Sequence, residues 1–331
     1  MNYLVTGGAG FIGSHLVDKL LEQQVKVLVI DKLTYASFQW QPTSNNPNFK
    51  FIKVDISKRE EVFDRLKEIQ DFLGDKFSIF NLAAESHVDR SINSADEFIL
   101  TNVLGTQVML DFARKTQALR FLHVSTDEVY GSLHSGEATE DFPLNPSSAY
   151  SASKASSDLI VLAHQKTFGT NAIITRCVNN FGPRQSLEKF IPRTISRVLS
   201  GQKVVVYGNG ANVREWIYVE DHCKSLISVM NRGQSGQVIN IGSGERFSNV
   251  EIVQMITEIM KNETAISFVK DRPGHDHRYA LDSSKFRNLV DNHNTITIRQ
   301  GLRHTLNYYE DYSKTKMFQE EFGLMENSYG S

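Results

Sequence analysis

Residues 5–16 read VTGGAGFIGSHL, and this stretch decides the fold of the chain. Three glycines, Gly7, Gly10 and Gly13, stand between a short apolar run and a segment with helical apolar spacing. In such a strand–turn–helix unit, the first glycine makes the tight turn and the second lets the backbone approach a pyrophosphate. The third lets helix and strand pack closely, and the helix N-terminus favours the anion. The stretch therefore predicts a dinucleotide-binding turn.

Outward from this turn, strand-like and helix-like segments alternate along the first half of the chain. The strand-like segments are NYLVT, VKVLVI, KFIKV, SIFNLA, LRFLHVS and NAIITR. This alternation predicts an α/β fold, a Rossmann-type doubly wound parallel sheet with helices on both faces. After about residue 180 the loops become longer, more basic and richer in Gly and Pro. We therefore predict a cofactor-binding domain over residues 1–180, also recruiting parts of 215–245, and a smaller, interleaved α/β substrate lobe over 181–331.

Composition limits the classes of function. The chain has 331 residues, a formal net charge of −2 and two cysteines, Cys177 and Cys223. This charge indicates no general attraction to nucleic acid or to an anionic membrane. The cysteines have neither metal-type spacing nor a disulfide framework, and the longest apolar runs have only strand length. We expect a cytoplasmic protein with no metal and with neither a nucleic-acid nor a membrane partner.

The ends of the next strands supply candidate cofactor contacts. The second strand ends at Asp31, whose carboxylate can accept a hydrogen bond from an adenosine ribose hydroxyl. The same charge would repel a 2′-phosphate, so NAD is favoured over NADP, although Lys32 argues weakly against this. Asp55 and Ile56 follow the third strand, where an adenine ring could be held. The two alanines of NLAAES are small residues where a backbone must pass close to the cofactor.

Tyr150 and Lys154 lie four residues apart in AYSASKAS, on one side of a probable helix. A tyrosine has an ordinary pKa of about 10 and is a poor base at neutral pH. A nearby ammonium group and a cationic nicotinamide would lower the pKa of the phenol toward the working range. Alone, the pair is as consistent with a surface helix. Together with the glycines, and with Ser125 and Thr126 as hydrogen-bonding groups, it predicts a catalytic pair.

Two adjacent acids, Asp127 and Glu128, stand where the strand of LHVSTDEVYG should end. Burying charge at such a position is costly. Either the strand has reached the surface and the acids are solvated turn residues, or they face a ligand. Ligands of open α/β sheets bind at the carboxyl ends of the strands, which favours the second alternative.

The sequence resembles the extended short-chain dehydrogenase/reductase group and, within it, nucleotide-sugar dehydratases of the dTDP-glucose 4,6-dehydratase type. The resemblance covers nearly the whole chain, and STDEVYG is its most specific segment. The other segments that carry it are LVTGGAGFIGSH, DKLTYA, NLAAESHVDRSI, YSASKASSD, NNFGPRQ, EKFIP, REWIYVEDH and DRPGHDHRYALD.

This resemblance implies NAD as cofactor and a dehydration that leaves a 4-keto-6-deoxy sugar. Tyr150, with Lys154 and Thr126, would take the proton from the sugar 4-hydroxyl while hydride leaves C4. Glu128 would remove the C5 proton, and Asp127 would protonate the departing C6 hydroxyl. UDP-glucose remains an alternative to dTDP-glucose, because the two bases differ by a methyl group worth about 1 kcal/mol. The alternative functions are an epimerase or decarboxylase of the same fold and a non-catalytic NAD-binding regulator.

The resemblance also assigns binding residues. Those implied for the cofactor are Gly7, Gly10, Phe11, Ile12, Gly13, Asp31, Lys32, Thr34, Asp55, Ile56, Leu82, Ala83, Ala84, Ser86, Thr101, Tyr150, Lys154 and Asn180. Those implied for the nucleotide sugar are Ser86, His87, Thr126, Asn179, Lys189, Phe190, Val205, Tyr207, Arg214, Asn249 and Arg278.

Three segments depart from the family pattern: the one containing Trp40, the LVDNHNTITIRQ stretch, and HDHR, where His277 replaces a common arginine. These departures bear on the nucleotide preference more than on the chemistry. Family members usually pair through two helices per subunit, so the resemblance implies a homodimer with a four-helix bundle. The helices involved would be about 93–115 and 149–168.

Overall fold

The computed structural model describes residues 1–37, 46–88, 91, 94–271, 274–290 and 295–329. The segment containing Trp40 and part of LVDNHNTITIRQ lie outside the described residues. The strands are β1 (Asn2–Thr6), β2 (Val27–Asp31), β3 (Phe49–Lys53), β4 (Phe77–Asn81), β5 (Arg120–Thr126), β6 (Ala172–Cys177), β7 (Asn179–Phe181), β8 (Val204–Tyr207), β9 (Val213–Tyr218), β10 (Val238–Ile241), β11 (Arg246–Ser248) and β12 (Ile266–Val269).

The main sheet has seven strands in the order β10-β6-β5-β4-β1-β2-β3. Every neighbouring pair in it is parallel. The chain order reverses direction between β1 and β4, which is the switch point where doubly wound sheets bind ligands. The predicted Rossmann-type parallel sheet is therefore confirmed.

Helices cover both faces of this sheet, and among the described helices none is both long and apolar enough to cross a membrane. The α-helices are α1 (Phe11–Glu22), α2 (Arg59–Asp64), α3 (Leu66–Leu73), α4 (Asp96–Phe98), α5 (Gly105–Lys115), α6 (Ala149–Phe168), α7 (Phe190–Leu199), α8 (Val219–Arg232), α9 (Asn249–Met260), α10 (Ser284–Leu289), α11 (Ile298–Tyr312) and α12 (Lys316–Tyr329).

The central strands are buried on both sides, which explains their continuous apolar sequences. Side chains along a strand alternate between faces, so Leu122 and Phe121 of β5 enter two different apolar clusters. The first cluster packs against α1 and α8, and the second packs against α3, α5 and α6. The two clusters together make the three-layer core that holds the strand ends in register.

The second half of the chain builds a smaller lobe from separate segments. Strands β11, β9 and β7 form one small sheet, and β12 pairs with β8 in another. An apolar cluster of its own lies beneath them, with Trp216 and Tyr309 among its buried residues. The chain nevertheless returns to the main sheet at β10, and α8 packs against α1. The boundary at residue 180 stays a prediction.

Helix α6 is fixed to the main sheet by buried polar contacts. Arg176 of β6 donates from Nε to the carboxylate of Asp158 at 2.8 Å. His123 Nε2 lies 3.0 Å from the Ser157 hydroxyl. These contacts set the position of the helix that carries Tyr150 and Lys154.

A π-helical segment, Ile99–Leu104, lies between α4 and α5. Such segments are rare and are frequently found at functional sites. Here its buried residues, Thr101 and Asn102, face inward, whereas Ile99, Leu100 and Leu104 are exposed. One turn of helix therefore presents a polar inner side and an apolar outer side.

Candidate active site

A cavity of about 320 Å³ opens at the carboxyl ends of the parallel strands. Its wall combines the turns after β1 to β5 with Tyr150 and Lys154 of α6. The second lobe closes it with residues from the segment after β6, including Lys189 and Phe190, and with Trp216 of β9. The cavity therefore joins the strand ends to the smaller lobe.

The glycine turn forms the floor of this cavity, and its geometry leaves no space for side chains. Gly7 has a φ of +69°, and a Cβ there would lie 2.6 Å from the backbone nitrogen of Ala83. A Cβ on Gly13 would lie 2.1 Å from the carbonyl oxygen of Gly7. The first turn of α1 begins at Gly10, which has no side chain with which to cap it. Gly10, Phe11, Ile12 and Gly13 line the cavity, so the N-terminus of α1, which favours an anion, lies at its wall.

Asp31 is held at the end of β2 by two backbone donors. Its carboxylate accepts from Ala9 N at 3.0 Å and from Leu33 N at 2.8 Å. Burial nevertheless raises the pKa of Asp31 above its ordinary value, against these two hydrogen bonds. Each carboxylate oxygen has a second lone pair, so the group can still accept from a ribose hydroxyl.

Lys154 donates from Nζ to the carbonyl oxygen of Val124 at 2.7 Å. Burial lowers the pKa of its ammonium group to about 8, with Asp158 acting in the opposite direction. Burial raises the pKa of the Tyr150 phenol well above its ordinary value, and the charge of Glu128 adds to this. A hydrogen bond with Thr126 opposes the increase. The protein groups alone thus keep the phenol protonated.

The two acids after β5 differ in their surroundings. Asp127 is 2% exposed, whereas Glu128 is half-buried, and both line the cavity. Burial raises the pKa of Asp127 well above its ordinary value, and the charges of Glu128 and Glu215 raise it further. Thr126 fixes the turn, because its hydroxyl donates to Asp127 Oδ1 at 3.2 Å and accepts from Glu128 N at 3.3 Å. Asp127 is therefore a buried acid that lines the cavity and whose surroundings favour its protonated form, and a solvated turn does not describe it.

The structure brings together all of the cofactor residues named from the sequence, and each of them lines the cavity. The five catalytic candidates lie on the same wall. Of the substrate candidates, the cavity wall includes Ser86, Thr126, Asn179, Lys189 and Phe190. The ammonium group of Lys189 donates to the carbonyl oxygen of Ser86 at 2.8 Å, which links the second lobe to the turn after β4.

The remaining substrate candidates do not line this cavity; they are His87, Val205, Tyr207, Arg214, Asn249 and Arg278. Arg214 donates from Nη2 to the carbonyl oxygen of Asp276 at 2.8 Å and lies over the ring of Tyr279. Arg278 donates to the carbonyl oxygen of Gly136 at 2.7 Å. Both guanidinium groups are thus satisfied by backbone carbonyls beside the cavity.

The other four lie at three places around it. His87 Nε2 is 3.5 Å from a carboxylate oxygen of Glu188. Val205 and Tyr207 belong to β8, where the guanidinium of Arg193 lies over the Tyr207 ring. Asn249 is the first residue of α9. Of these four residues, His87 contacts the cavity wall, because Glu188 lines it.

Several cavity residues were missed by sequence reasoning. They are Tyr35, Ala36, Ser37, Val54, Glu85, Val124, Cys177, Val178, Gln185, Ser186, Glu188, Ile191 and Trp216. Many of them flank strand ends already named, so the rule that carboxyl ends of parallel strands meet at one edge would have found them. Cys177, for example, ends β6 directly beside Thr126. Trp216 lies within β9, and no local pattern in the sequence indicates its place on the wall.

Comparison with known proteins gives the family. The family profile described as GDP-mannose 4,6 dehydratase matches residues 4–305. Because this match covers most of the chain, the protein belongs to that family.

Individual relatives agree with this assignment. The low-salt glycan biosynthesis protein Agl12 of Haloferax volcanii is 49% identical over 293 residues, which are 87% of this chain and 92% of the relative. A dTDP-glucose 4,6-dehydratase of an Actinoplanes species is 42% identical over 93% of this chain and 98% of its own. The solved dTDP-glucose 4,6-dehydratase of Streptomyces venezuelae, with NAD bound, is 40% identical with a TM-score of 0.87, covering 94% of this chain and 97% of that one.

Replacing Asp127 by asparagine should stabilise the protein, and more so at higher pH. Below about pH 4 the carboxyl is protonated in both the folded and the unfolded state. As the pH rises toward the raised folded pKa, the unfolded state loses the proton more readily, so the wild type loses stability. The amide of the variant does not titrate and avoids this loss. We expect the thermal midpoint of Asp127→Asn to exceed that of the wild type by a larger margin at pH 8 than at pH 5.

The exposed acid Asp141 offers a matched control, since Asp141→Asn should follow the wild type at both pH values. Each 1 kcal/mol of unfolding free energy corresponds to a shift of about 2 to 4 °C in the thermal midpoint of a protein of this order of size. An equal margin for Asp127→Asn at pH 5 and pH 8 would mean that the carboxyl is already ionised in the folded protein.

Proposed function

We propose that the protein is an NAD-dependent 4,6-dehydratase that removes water from dTDP-glucose and leaves a 4-keto-6-deoxy sugar. The observation that carries this proposal is the pair at the end of β5: a buried Asp127, whose pKa is raised by its burial, directly beside a half-buried Glu128. A dehydration needs one group that accepts a proton and one that donates a proton on neighbouring carbons. Burial raises the pKa of Asp127, which favours this residue as the proton donor and leaves the more exposed Glu128 for the role of base.

The cavity fits NAD. Its floor at Gly7 and Gly13 excludes a Cβ and offers the N-terminus of α1 to a pyrophosphate. Asp31 stands where its carboxylate can accept from the adenosine ribose hydroxyls. When bound, NAD supplies a hydride acceptor for C4 and afterwards the hydride donor for C6, so the overall reaction consumes no reductant.

Tyr150 acts on the first carbon. Its phenolic oxygen removes the proton from the 4-hydroxyl of the sugar as C4 is oxidised. The high pKa of the phenol means that it needs additional positive charge to ionise. The ammonium group of Lys154, one helical turn away, and the nicotinamide of NAD would supply it. Thr126 hydrogen-bonds the same phenol and holds it in place.

Glu128 and Asp127 act on the next two carbons. The 4-keto group acidifies the C5 hydrogen, and the Glu128 carboxylate removes it. Asp127, neutral through its burial, donates a proton to the C6 hydroxyl, which departs as water. The atoms balance, because C5 loses a proton and C6 loses hydroxide. Glu128 then returns its proton to C5 as C6 gains the hydride. The proton that Tyr150 removed replaces the one that Asp127 gave to the departing water.

Asp127 also separates the leading function from its alternatives. An epimerase or a decarboxylase of this fold does not expel a hydroxyl from C6 of its substrate. Neither enzyme therefore needs a protonated acid beside C6. A non-catalytic NAD-binding regulator would need neither this acid nor the Tyr150 and Lys154 pair. For the base of the nucleotide, UDP-glucose remains the competing substrate, since one buried methyl group is worth about 1 kcal/mol.

We also propose that the residues named from the sequence carry the cofactor and the sugar, and that residues 1–180 with parts of 215–245 form the NAD-binding domain. The return of the chain to the main sheet at β10 supports this division. The two buried, unpaired thiols of Cys177 and Cys223 support a cytoplasmic location.

The enzyme should remove one water from a nucleotide-activated glucose without added reductant. We would incubate the purified protein with equal amounts of dTDP-glucose and UDP-glucose in deuterium oxide and follow both by mass spectrometry. Asp127→Asn should lower water loss about a hundredfold or more, yet still exchange the C5 hydrogen for deuterium, because Glu128 and Tyr150 remain. Glu128→Gln should abolish both exchange and water loss.

The pattern of outcomes discriminates between the functions. Isomerisation without loss of mass would identify an epimerase. Loss of carbon dioxide from a uronic-acid substrate would identify a decarboxylase. Binding without any chemical change would identify a regulator. Full water loss by Asp127→Asn would remove its role as the acid. Tyr150→Phe serves as the control that should block every step.

We further propose that the protein is a homodimer whose subunits pair through the helices predicted at about 93–115 and 149–168, which form a four-helix bundle. The outer side of the π-helical segment and the neighbouring side of α6 support this, because they expose Ile99, Leu100, Leu104 and Leu159. Leu159 is 57% exposed and Ile99 is 53% exposed. Large apolar groups gathered on two packed helices are typical of a subunit interface.

Gel filtration with light scattering should therefore give the mass of two chains. Leu159→Glu should shift the mass toward one chain, since it places a charge in the centre of the apolar surface. Leu324→Glu, on the equally exposed α12, is the matched control and should leave the mass unchanged. A single-chain mass for the wild type would contradict the dimer.

A further inference from the structure

Lys32 reaches from the end of β2 to the turn after β4. Its ammonium group lies 2.9 Å from Glu85 Oε1 and 3.1 Å from the hydroxyl of Thr101. Glu97 contributes a longer contact of 3.7 Å. Lys32, Glu85 and Thr101 all line the cavity beside Asp31.

A lysine at this position would by itself favour the wrong cofactor. NADP differs from NAD only by a phosphate on the adenosine 2′-oxygen, the region that Asp31 faces. An ammonium group next to that carboxylate is a ready partner for the phosphate. Asp31 opposes the phosphate with one negative charge, but Lys32 cancels that charge. The sum of these two residues is close to neutral and gives little discrimination.

Glu85 changes this balance. It is only 14% exposed, and Lys32 is 23% exposed, so water screens their contact weakly. Burial alone would lower the pKa of Lys32, yet the contact with Glu85 raises it overall. The lysine is therefore fully charged and already paired. Together with Asp31 and Asp55, Glu85 gives the adenosine end of the cavity a net negative charge, and Glu85 is the carboxylate that engages Lys32.

The position of Glu85 does not depend on its own side chain. Its backbone N donates to Asn102 Oδ1 at 2.9 Å, and its carbonyl oxygen accepts from Asn102 Nδ2 at 3.0 Å. Asn102 is 1% exposed and also donates to the hydroxyl of Ser153 on α6. These hydrogen bonds hold the backbone of Glu85 in the position from which its carboxylate contacts Lys32. The carboxylate can thus be altered while the backbone remains in place.

We propose that Glu85 is a specificity-determining residue, which occupies Lys32 and so denies the 2′-phosphate of NADP its cation. This inference rests on the proposed use of NAD, and it adds a second determinant to Asp31. Glu97 is not part of it, because its carboxylate is 66% exposed and lies farther from the ammonium group.

The test compares dinucleotides on the full-length protein. For wild type and Glu85→Gln we would measure the concentrations of NAD and NADP that give half-maximal turnover, and the dissociation constants of adenosine 5′-monophosphate and adenosine 2′,5′-bisphosphate. Glu85→Gln should tighten NADP and the bisphosphate by about five- to tenfold relative to NAD and the monophosphate. The gain should shrink at high salt.

Three further variants sharpen the comparison. Glu97→Gln, the matched control, should change the ratio less than about twofold. Asp31→Ser combined with Glu85→Gln should bind NADP more tightly than either single variant. Adding Lys32→Met to Glu85→Gln should cancel the gain, because the freed ammonium group is what binds the phosphate.

The outcomes separate this inference from the function on which it rests. A purely structural role of Glu85 would weaken both dinucleotides together and leave their ratio unchanged, and that result would overturn the proposal. An unchanged ratio in the Asp31→Ser background would do the same. If the wild type neither binds NAD nor dehydrates a sugar, then the cofactor assignment itself is wrong. If the wild type is active with NAD but Glu85→Gln leaves the ratio of NADP affinity to NAD affinity unaltered, only the role of Glu85 is refuted.

Discussion

The close approach of Gly7 to Ala83 is the contact on which the rest of the site depends. The turn after β1 and the turn after β4 meet with no room for a Cβ between them, since it would lie 2.6 Å from the Ala83 nitrogen. This contact holds the two turns against each other at the switch point of the sheet. The cavity floor, the Asp31 carboxylate and the turn that carries Glu85 are all placed relative to it. A side chain at position 7 would separate the turns and open the floor.

Burial is the second physical theme, and it acts on three of the titratable groups that the proposed reaction uses. It raises the pKa of Asp127 and of Tyr150, and it lowers the pKa of Lys154 to about 8. Each shift favours the uncharged form, because transfer of charge from water into the protein is costly. The site thus gives up folding stability in exchange for reactive groups, as active sites commonly do.

Much of the fold and of the cofactor wall could be predicted from the sequence, because both follow from local patterns and one topological rule. Alternating strands and helices indicate the parallel sheet, and parallel strands bring residues such as Asp31, Asp55 and Asp127 to one edge. The orientation of long side chains could not be predicted. Arg214 turns toward the carbonyl oxygen of Asp276, and Lys32 crosses to Glu85, through contacts between residues far apart in sequence. The π-helical segment was also missed, because its sequence reads as ordinary helix.

The π-helical segment Ile99–Leu104 limits which mutations the chain can tolerate. Each residue of a helix is rotated by a fixed angle from the one before it, so the inner and outer sides of Ile99–Leu104 depend on the number of residues in that stretch. Deletion of Ile99 or Leu100 would move each following residue into the place of the residue before it. The polar and apolar side chains would then no longer match the inner and outer sides of the helix. Thr101 would then move to the exposed place of Leu100, and Val103 would take the buried place of Asn102. We therefore expect this turn to tolerate substitutions on its outer side far better than any change in its length.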